Sequence, residues 1–172
     1  MSKIDYNIVL CGFMGSGKTS VGRRLSEVLK VDFVDTDKCI EEELGMPISE
    51  IFARYGEEHF RNLENRVIGN LSECRGVVIS TGGGTVVNKT NAELLRKNGK
   101  IVFLDAPLGE IELRLKSDNT RPLFRHNDDV KSLFEERKNI YNNISDFSIA
   151  GIGSIEEICE KIVNKLANNI IN

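Results

Sequence analysis

Along the chain, short apolar runs rich in valine and isoleucine alternate with longer stretches in which apolar residues return every three or four positions. The first pattern is that of strands, the second that of helices. Their alternation predicts βαβ units and a parallel sheet. Five strands are expected, at Asn7–Leu10, Asp32–Asp35, Gly76–Ser80, Lys100–Leu104 and Phe147–Ala150. Each is short and mostly apolar, as a strand covered by helices on both faces must be.

Val21, Leu25, Val28 and Leu29 form one helical stripe, and Phe60, Leu63, Val67, Ile68 and Leu71 form a longer one. Ile155, Ile158, Ile162 and Leu166 mark a last helix. Ser154-x-x-Glu157 and Thr90-x-x-Glu93 have the spacing of capping boxes. Two stretches break the alternation. Residues 37–60, "DKCIEEELGMPISEIFARYGEEHF", predict small helices broken at Gly45, Pro47 and Gly56. Residues 116–129 are polar and carry Arg121 and Arg125, which suits either a solvated loop or a mobile lid. No repeat or linker divides the chain, so one domain over residues 1–172 is expected, with a substrate-binding region near 35–64 and a lid near 116–129.

Composition narrows the class. With 172 residues, 40% of them hydrophobic and 28% charged, the chain can bury a core without disulfides or metals. A net charge of −3 argues against a nucleic-acid partner, which would need a basic surplus to displace counterions. Cys11, Cys39, Cys74 and Cys159 are scattered with no C-x-x-C pair, as reduced cytosolic thiols would be. The opening "MSKIDYNIVL" lacks a signal-peptide core, and no run approaches the roughly 18 apolar residues of a membrane span. A cytoplasmic monomer acting on a small molecule is the expectation, with no membrane partner.

The chemistry begins at "GFMGSGKT". Gly12-x-x-Gly15-Ser16-Gly17-Lys18-Thr19 matches G-x-x-x-x-G-K-[ST] between a strand and a helix, the context a P-loop requires. Gly12, Gly15, Ser16, Gly17 and Ser20 would cradle phosphates with backbone N–H groups, Lys18 would reach the β/γ oxygens, and the Thr19 hydroxyl would hold Mg²⁺. The expected fold is therefore α/β, a P-loop NTPase three-layer sandwich with a five-stranded parallel sheet. "FVDTD" ends the second strand with Asp35 and Asp37 two apart. Residues i and i+2 share a strand face, so one carboxylate can support Mg²⁺ while the other meets a substrate hydroxyl. "STGGGTV" ends the third strand, and Gly82, Gly83 and Gly84 would let a small polyol touch the backbone directly.

Six motifs, "GFMGSGKT", "FVDTD", "HFRNLE", "STGGGTV", "NTRPL" and "ERKNIY", run in the order and spacing of the shikimate kinases, and the chain resembles that family over nearly its whole length. The resemblance implies ATP and Mg²⁺ as cofactors and the 3-hydroxyl of shikimate as acceptor, on the route to aromatic amino acids. It makes Asp37 the base and substrate contact, and puts Asp35 with Thr19 on the metal. Arg61 and Arg137 would clamp the substrate carboxylate, with Glu64 orienting them and Gly83 and Gly84 against the ring. Arg121 would be the catalytic lid arginine that also touches nucleotide, and Arg114 would lie over the adenine.

Elementary chemistry supports these roles unequally. Planar guanidinium groups match a carboxylate bidentately, and Glu64 lies one helical turn from Arg61. Outside the motif set, Arg61 and Arg137 read as charges on amphipathic helices. His59 and His126 have no ligand spacing and read as ordinary polar residues. No Asn-Lys-x-Asp guanine-reading motif is present, which favours ATP. Two other readings remain open: a P-loop kinase of another small acidic polyol such as gluconate or of a nucleoside monophosphate, and a nucleotide-dependent switch or binding module without turnover.

Overall fold

The computed structural model describes residues 4–116 and 127–168. Five strands, β1 (Asn7–Cys11), β2 (Asp32–Asp35), β3 (Val77–Ser80), β4 (Gly99–Asp105) and β5 (Phe147–Ala150), form one parallel sheet in the order β2-β3-β1-β4-β5. The five expected strands are all present, β2 and β5 with the expected bounds and β1, β3 and β4 with ends moved by one residue. Gly76 drops out of β3 because its φ of 68° is incompatible with a strand.

The helices are α1 (Lys18–Leu29), α2 (Thr36–Leu44), α3 (Ile48–Ser72), α4 (Lys89–Lys97), α5 (Leu108–Lys116), α6 (Asn127–Ile144) and α7 (Ile155–Asn168). Side chains alternate across each strand, and that period of two sorts the core into two layers. Ile8, Leu10, Val78, Val102 and Leu104 face α1 and α7, meeting Val21, Leu25, Ile158, Ile162 and Leu166. Val9, Cys11, Ile79, Ile101 and Phe103 face the other way, against Phe60, Leu63, Ile68, Leu95, Phe134 and Tyr141. Both faces are covered, which is why β1 is buried at all five positions.

Three local expectations need correction. Asp35 and Asp37 do not share a strand face, because β2 stops at Asp35 and Asp37 lies in the first turn of α2. The cause is the Asp35 carboxylate, which accepts from the backbone N–H groups of Asp37 and Lys38 and starts the helix. Helix α4 begins at Lys89, capped by Asn88 with a 2.9 Å bond from Thr90 N, so Thr90 is inside the helix and not its cap. Val28 and Ile155, assigned to buried stripes, are exposed. The reciprocal Ser154–Glu157 box is present, at 2.8 and 3.2 Å. Breaks at Gly45 and Pro47 separate α2 from α3, and Gly56 (φ 80°, ψ 173°) kinks α3. All four cysteines are free thiols. Among the described residues, no helix is long and apolar enough to cross a membrane.

Candidate active site

The carboxyl ends of β1, β2 and β3 bring three loops together. The first is the P-loop, where Gly12, Gly15 and Gly17 take φ values of 147°, 76° and 97°, conformations that L side chains rarely adopt. Lys18 opens α1 and is buried, its ammonium donating to the Gly12 and Phe13 carbonyls at 2.9 Å each. The Ser16 hydroxyl is buried beneath the loop without a protein partner. Ser20, one residue past Thr19, is exposed. Beneath the loop, burial pushes the Cys11 thiol up to about 12 despite the Lys18 charge, so it stays protonated.

The second loop joins β2 to α2. Asp35 is shared between two tasks: Oδ1 caps the helix, while Oδ2 accepts the Thr19 hydroxyl at 2.7 Å. The Ser80 hydroxyl lies 3.5 Å from that of Thr19. This hydroxyl and carboxylate set offers only oxygen, as a hard divalent cation prefers.

The third loop, Gly82–Gly84, follows β3 and is pinned from several sides. Gly82 N donates to the buried Thr36 hydroxyl at 3.1 Å, and the Tyr141 hydroxyl of α6 donates to the Gly83 carbonyl. Burial raises the Tyr141 pKa, against the pull of the neighbouring Arg137 cation, so the phenol remains a donor. A methyl carbon on Gly82 would stand 2.7 Å from Asp37 Oδ1, and one on Gly84 would stand 2.8 Å from both terminal nitrogens of Arg61. Either contact is far too short for a side chain. On Gly83 it would lie 3.5 Å from Arg137. Gly82 and Gly84 therefore let Asp37 and Arg61 approach one short length of backbone, and Arg137 reaches the same length at ordinary contact distance from Gly83.

Behind them is a buried carboxylate. Glu64 is 1% exposed, accepts from the Thr85 hydroxyl at 2.6 Å and from Arg61 at 2.9 Å, and so is held in one orientation. Burial lowers the Arg61 pKa, but Glu64 and Glu57 more than offset it and keep the guanidinium charged. Arg137 lies with its guanidinium carbon 6.0 Å from the Phe13 ring.

The chain is 49% identical to the shikimate kinase of Caldicellulosiruptor saccharolyticus over 162 residues, covering 92% of this chain and 94% of that one. The shikimate kinase family model matches residues 14–167. The chain belongs to the shikimate kinase family. Its reaction is the ATP-dependent phosphorylation of shikimate. A second relative, the shikimate kinase of Sulfurihydrogenibium sp., is 45% identical over 93% of this chain and 97% of its own. The fold also superposes on the shikimate kinase from Acinetobacter baumannii in complex with shikimate, with a TM-score of 0.92 and 32% identity over 99% and 97% of the two chains. A gluconokinase from Sinorhizobium meliloti shares the fold alone, at a TM-score of 0.62 and 17% identity.

Arg114 lies between loops: it donates to the Gly15 and Ser16 carbonyls at 3.4 and 3.2 Å and to Gly151 at 3.0 Å, joining the P-loop to the turn after β5. Arg121, Arg125, His126 and most of the expected lid lie outside the described residues. Sequence reasoning missed Thr36, Glu57, Thr85 and Tyr141, which bond Gly82, Arg61, Glu64 and Gly83 respectively. Only Glu57 left a local signal, four residues before Arg61 on α3; the others act across the fold.

Proposed function

We propose that the chain transfers the γ-phosphoryl group of ATP to the 3-hydroxyl of shikimate, releasing ADP and shikimate 3-phosphate on the route to chorismate and the aromatic amino acids. The observation that carries this is the meeting of Arg61, Arg137 and Asp37 on Gly82–Gly84, beside a P-loop. Two guanidinium groups suit a small carboxylated ring, and a carboxylate beside them suits its hydroxyl.

In this reading the P-loop N–H groups and Lys18 hold the β- and γ-phosphates. Thr19 and Asp35 would hold Mg²⁺, which offsets phosphate charge when bound. Asp37 takes the 3-hydroxyl proton as that oxygen forms its bond to the γ-phosphorus and the bond to the ADP oxygen breaks. Arg61 and Arg137 bind the ring carboxylate, with Glu64 fixing Arg61. Gly83 and Gly84 lie against the ring. Arg121 would stabilise the transferring group and Arg114 would contact the nucleotide. A cytoplasmic monomer organised as one domain belongs to the same proposal.

The clamp is tested by comparing shikimate with its neutral carboxamide. Loss of one partner of a buried charge pair costs on the order of 2–5 kcal/mol, roughly 30- to several-thousand-fold in affinity. Arg61→Ala and Arg137→Ala should each weaken binding of the acid by this much and of the amide far less, leaving ATP affinity unchanged. Equal losses for acid and amide would remove the carboxylate contact from both arginines.

A further inference from the structure

We propose that Glu57 is a positioning residue for the acceptor: together with Glu64 it brackets the Arg61 guanidinium so that both terminal nitrogens face the triple-glycine loop. The inference rests on the shikimate kinase reading above. An arginine carries five N–H donors in a rigid plane. On one edge, Nε and one terminal nitrogen both donate to Glu57 Oε1, at 3.3 and 3.2 Å. On the other, the second terminal nitrogen donates to Glu64 Oε2 at 2.9 Å. These bonds account for three donors and leave one N–H on each terminal nitrogen, the two atoms that face Gly84.

The two carboxylates differ in burial. Glu64 is 1% exposed and fixed by Thr85, whereas Glu57 is 69% exposed. Glu64 alone would hold the guanidinium by a single bond, about which the plane can pivot; Glu57 supplies the second point that stops it. Chain geometry explains how it reaches. The break at Gly56 starts the second segment of α3, so Glu57 opens that segment and Arg61 follows one turn later. A carboxylate is also favoured in such a first turn. An exposed pair of this kind contributes little to folding, so its main contribution here is orientation.

Steady-state kinetics with ATP and shikimate, alongside thermal melting, test the assignment. Glu57→Ala should raise KM for shikimate about five- to tenfold, the scale of restoring rotamer freedom to one long side chain. Turnover, KM for ATP and melting temperature should stay close to wild type, a split that a general structural defect would not produce. Glu57→Gln keeps an acceptor at Oε1 and should return KM to within about twofold of wild type. In an Arg61→Ala background, Glu57→Ala should add nothing further. An unchanged KM in Glu57→Ala overturns the proposal. So does a lower KM in both variants, which would make Glu57 a placeholder that shikimate displaces. If the wild-type enzyme releases no ADP on addition of shikimate, the functional reading falls and this inference with it; normal wild-type turnover with an indifferent Glu57→Ala sinks the inference alone.

Discussion

The nucleotide side and the acceptor side of this site are built in opposite ways. The P-loop is contiguous, made of backbone, and positioned by one strand and one helix, with its lysine folded onto its own carbonyls. The acceptor side draws Asp37 from α2, Arg61 and Glu64 from α3, three glycines from after β3, and Arg137 and Tyr141 from α6. It is made mostly of side chains, and several groups are oriented by another side chain: Arg61 by Glu64, Glu64 by Thr85, and the Gly83 carbonyl by Tyr141. A backbone cradle depends on conformations that few substitutions tolerate. A side-chain pocket can be retuned residue by residue. The glycines serve both, through positive φ on one side and close approach on the other.

If the two sides are separable, the largest effect comes from Asp37→Asn, which keeps shape and removes the carboxylate proposed as the base. Turnover should fall about 10²- to 10⁴-fold, with ATP affinity measured by titration unchanged. A loss within about threefold, well short of that range, would reduce Asp37 to a hydroxyl anchor.

Next is Thr85→Val, which removes the hydroxyl from the buried Glu64 carboxylate. An unmet buried acceptor costs the folded protein about 1–3 kcal/mol, so the melting temperature should fall, and KM for shikimate should rise as Glu64 and Arg61 lose their fixed orientation, while KM for ATP stays put. A matching rise in both constants would break the separation, since it would mean that damage spreads across the site.

Cysteine chemistry sharpens the contrast without any mutation. Cys11 underlies the P-loop, buried and protonated, while Cys74 is exposed. Iodoacetamide at mildly alkaline pH, read by peptide mass, should label Cys74 and spare Cys11 with or without ATP. Labelling of Cys11 at a comparable rate would mean that the cradle opens in solution.

The smallest effect lies away from both sides. Glu157 has its pKa lowered, first by the Ser154 backbone N–H and then by the Ser154 hydroxyl. A carboxylate depressed on folding stabilises above its unfolded pKa and loses that contribution as pH falls through the folded value. Ser154→Ala should therefore lower the melting temperature slightly near neutral pH, flatten its decline in acid, and leave both KM values alone. Parallel acid limbs in mutant and wild type would contradict the linkage.

The same contrast explains what could be read from the chain before its fold. The P-loop is local, so residues 12–19 show it directly, and the two-layer sheet follows from β-branched runs between helical stripes. The spacing of Asp35 and Asp37 predicts a shared strand face, and the structure breaks it, because Asp35 caps α2 and the helix begins before Asp37 is reached. Asn88 takes the cap expected of Thr90 because it stands immediately before the first helical residue, where its side-chain oxygen reaches forward to accept from the Thr90 N–H. Thr36, Thr85 and Tyr141 left no trace in spacing. Their partners lie 46, 21 and 58 residues away, pairings that only the closed sheet creates.

The central claim is that the arginine and glycine cluster selects a carboxylated ring as phosphoryl acceptor. Its most direct test is coupled ADP release from ATP and Mg²⁺ with shikimate, quinate, gluconate or AMP offered in turn, with the phosphorylated product identified by NMR. The account predicts fast ADP release with shikimate, matched mole for mole by shikimate 3-phosphate, and little with gluconate or AMP. Faster turnover with gluconate or AMP, or ADP release indifferent to acceptor, would contradict it.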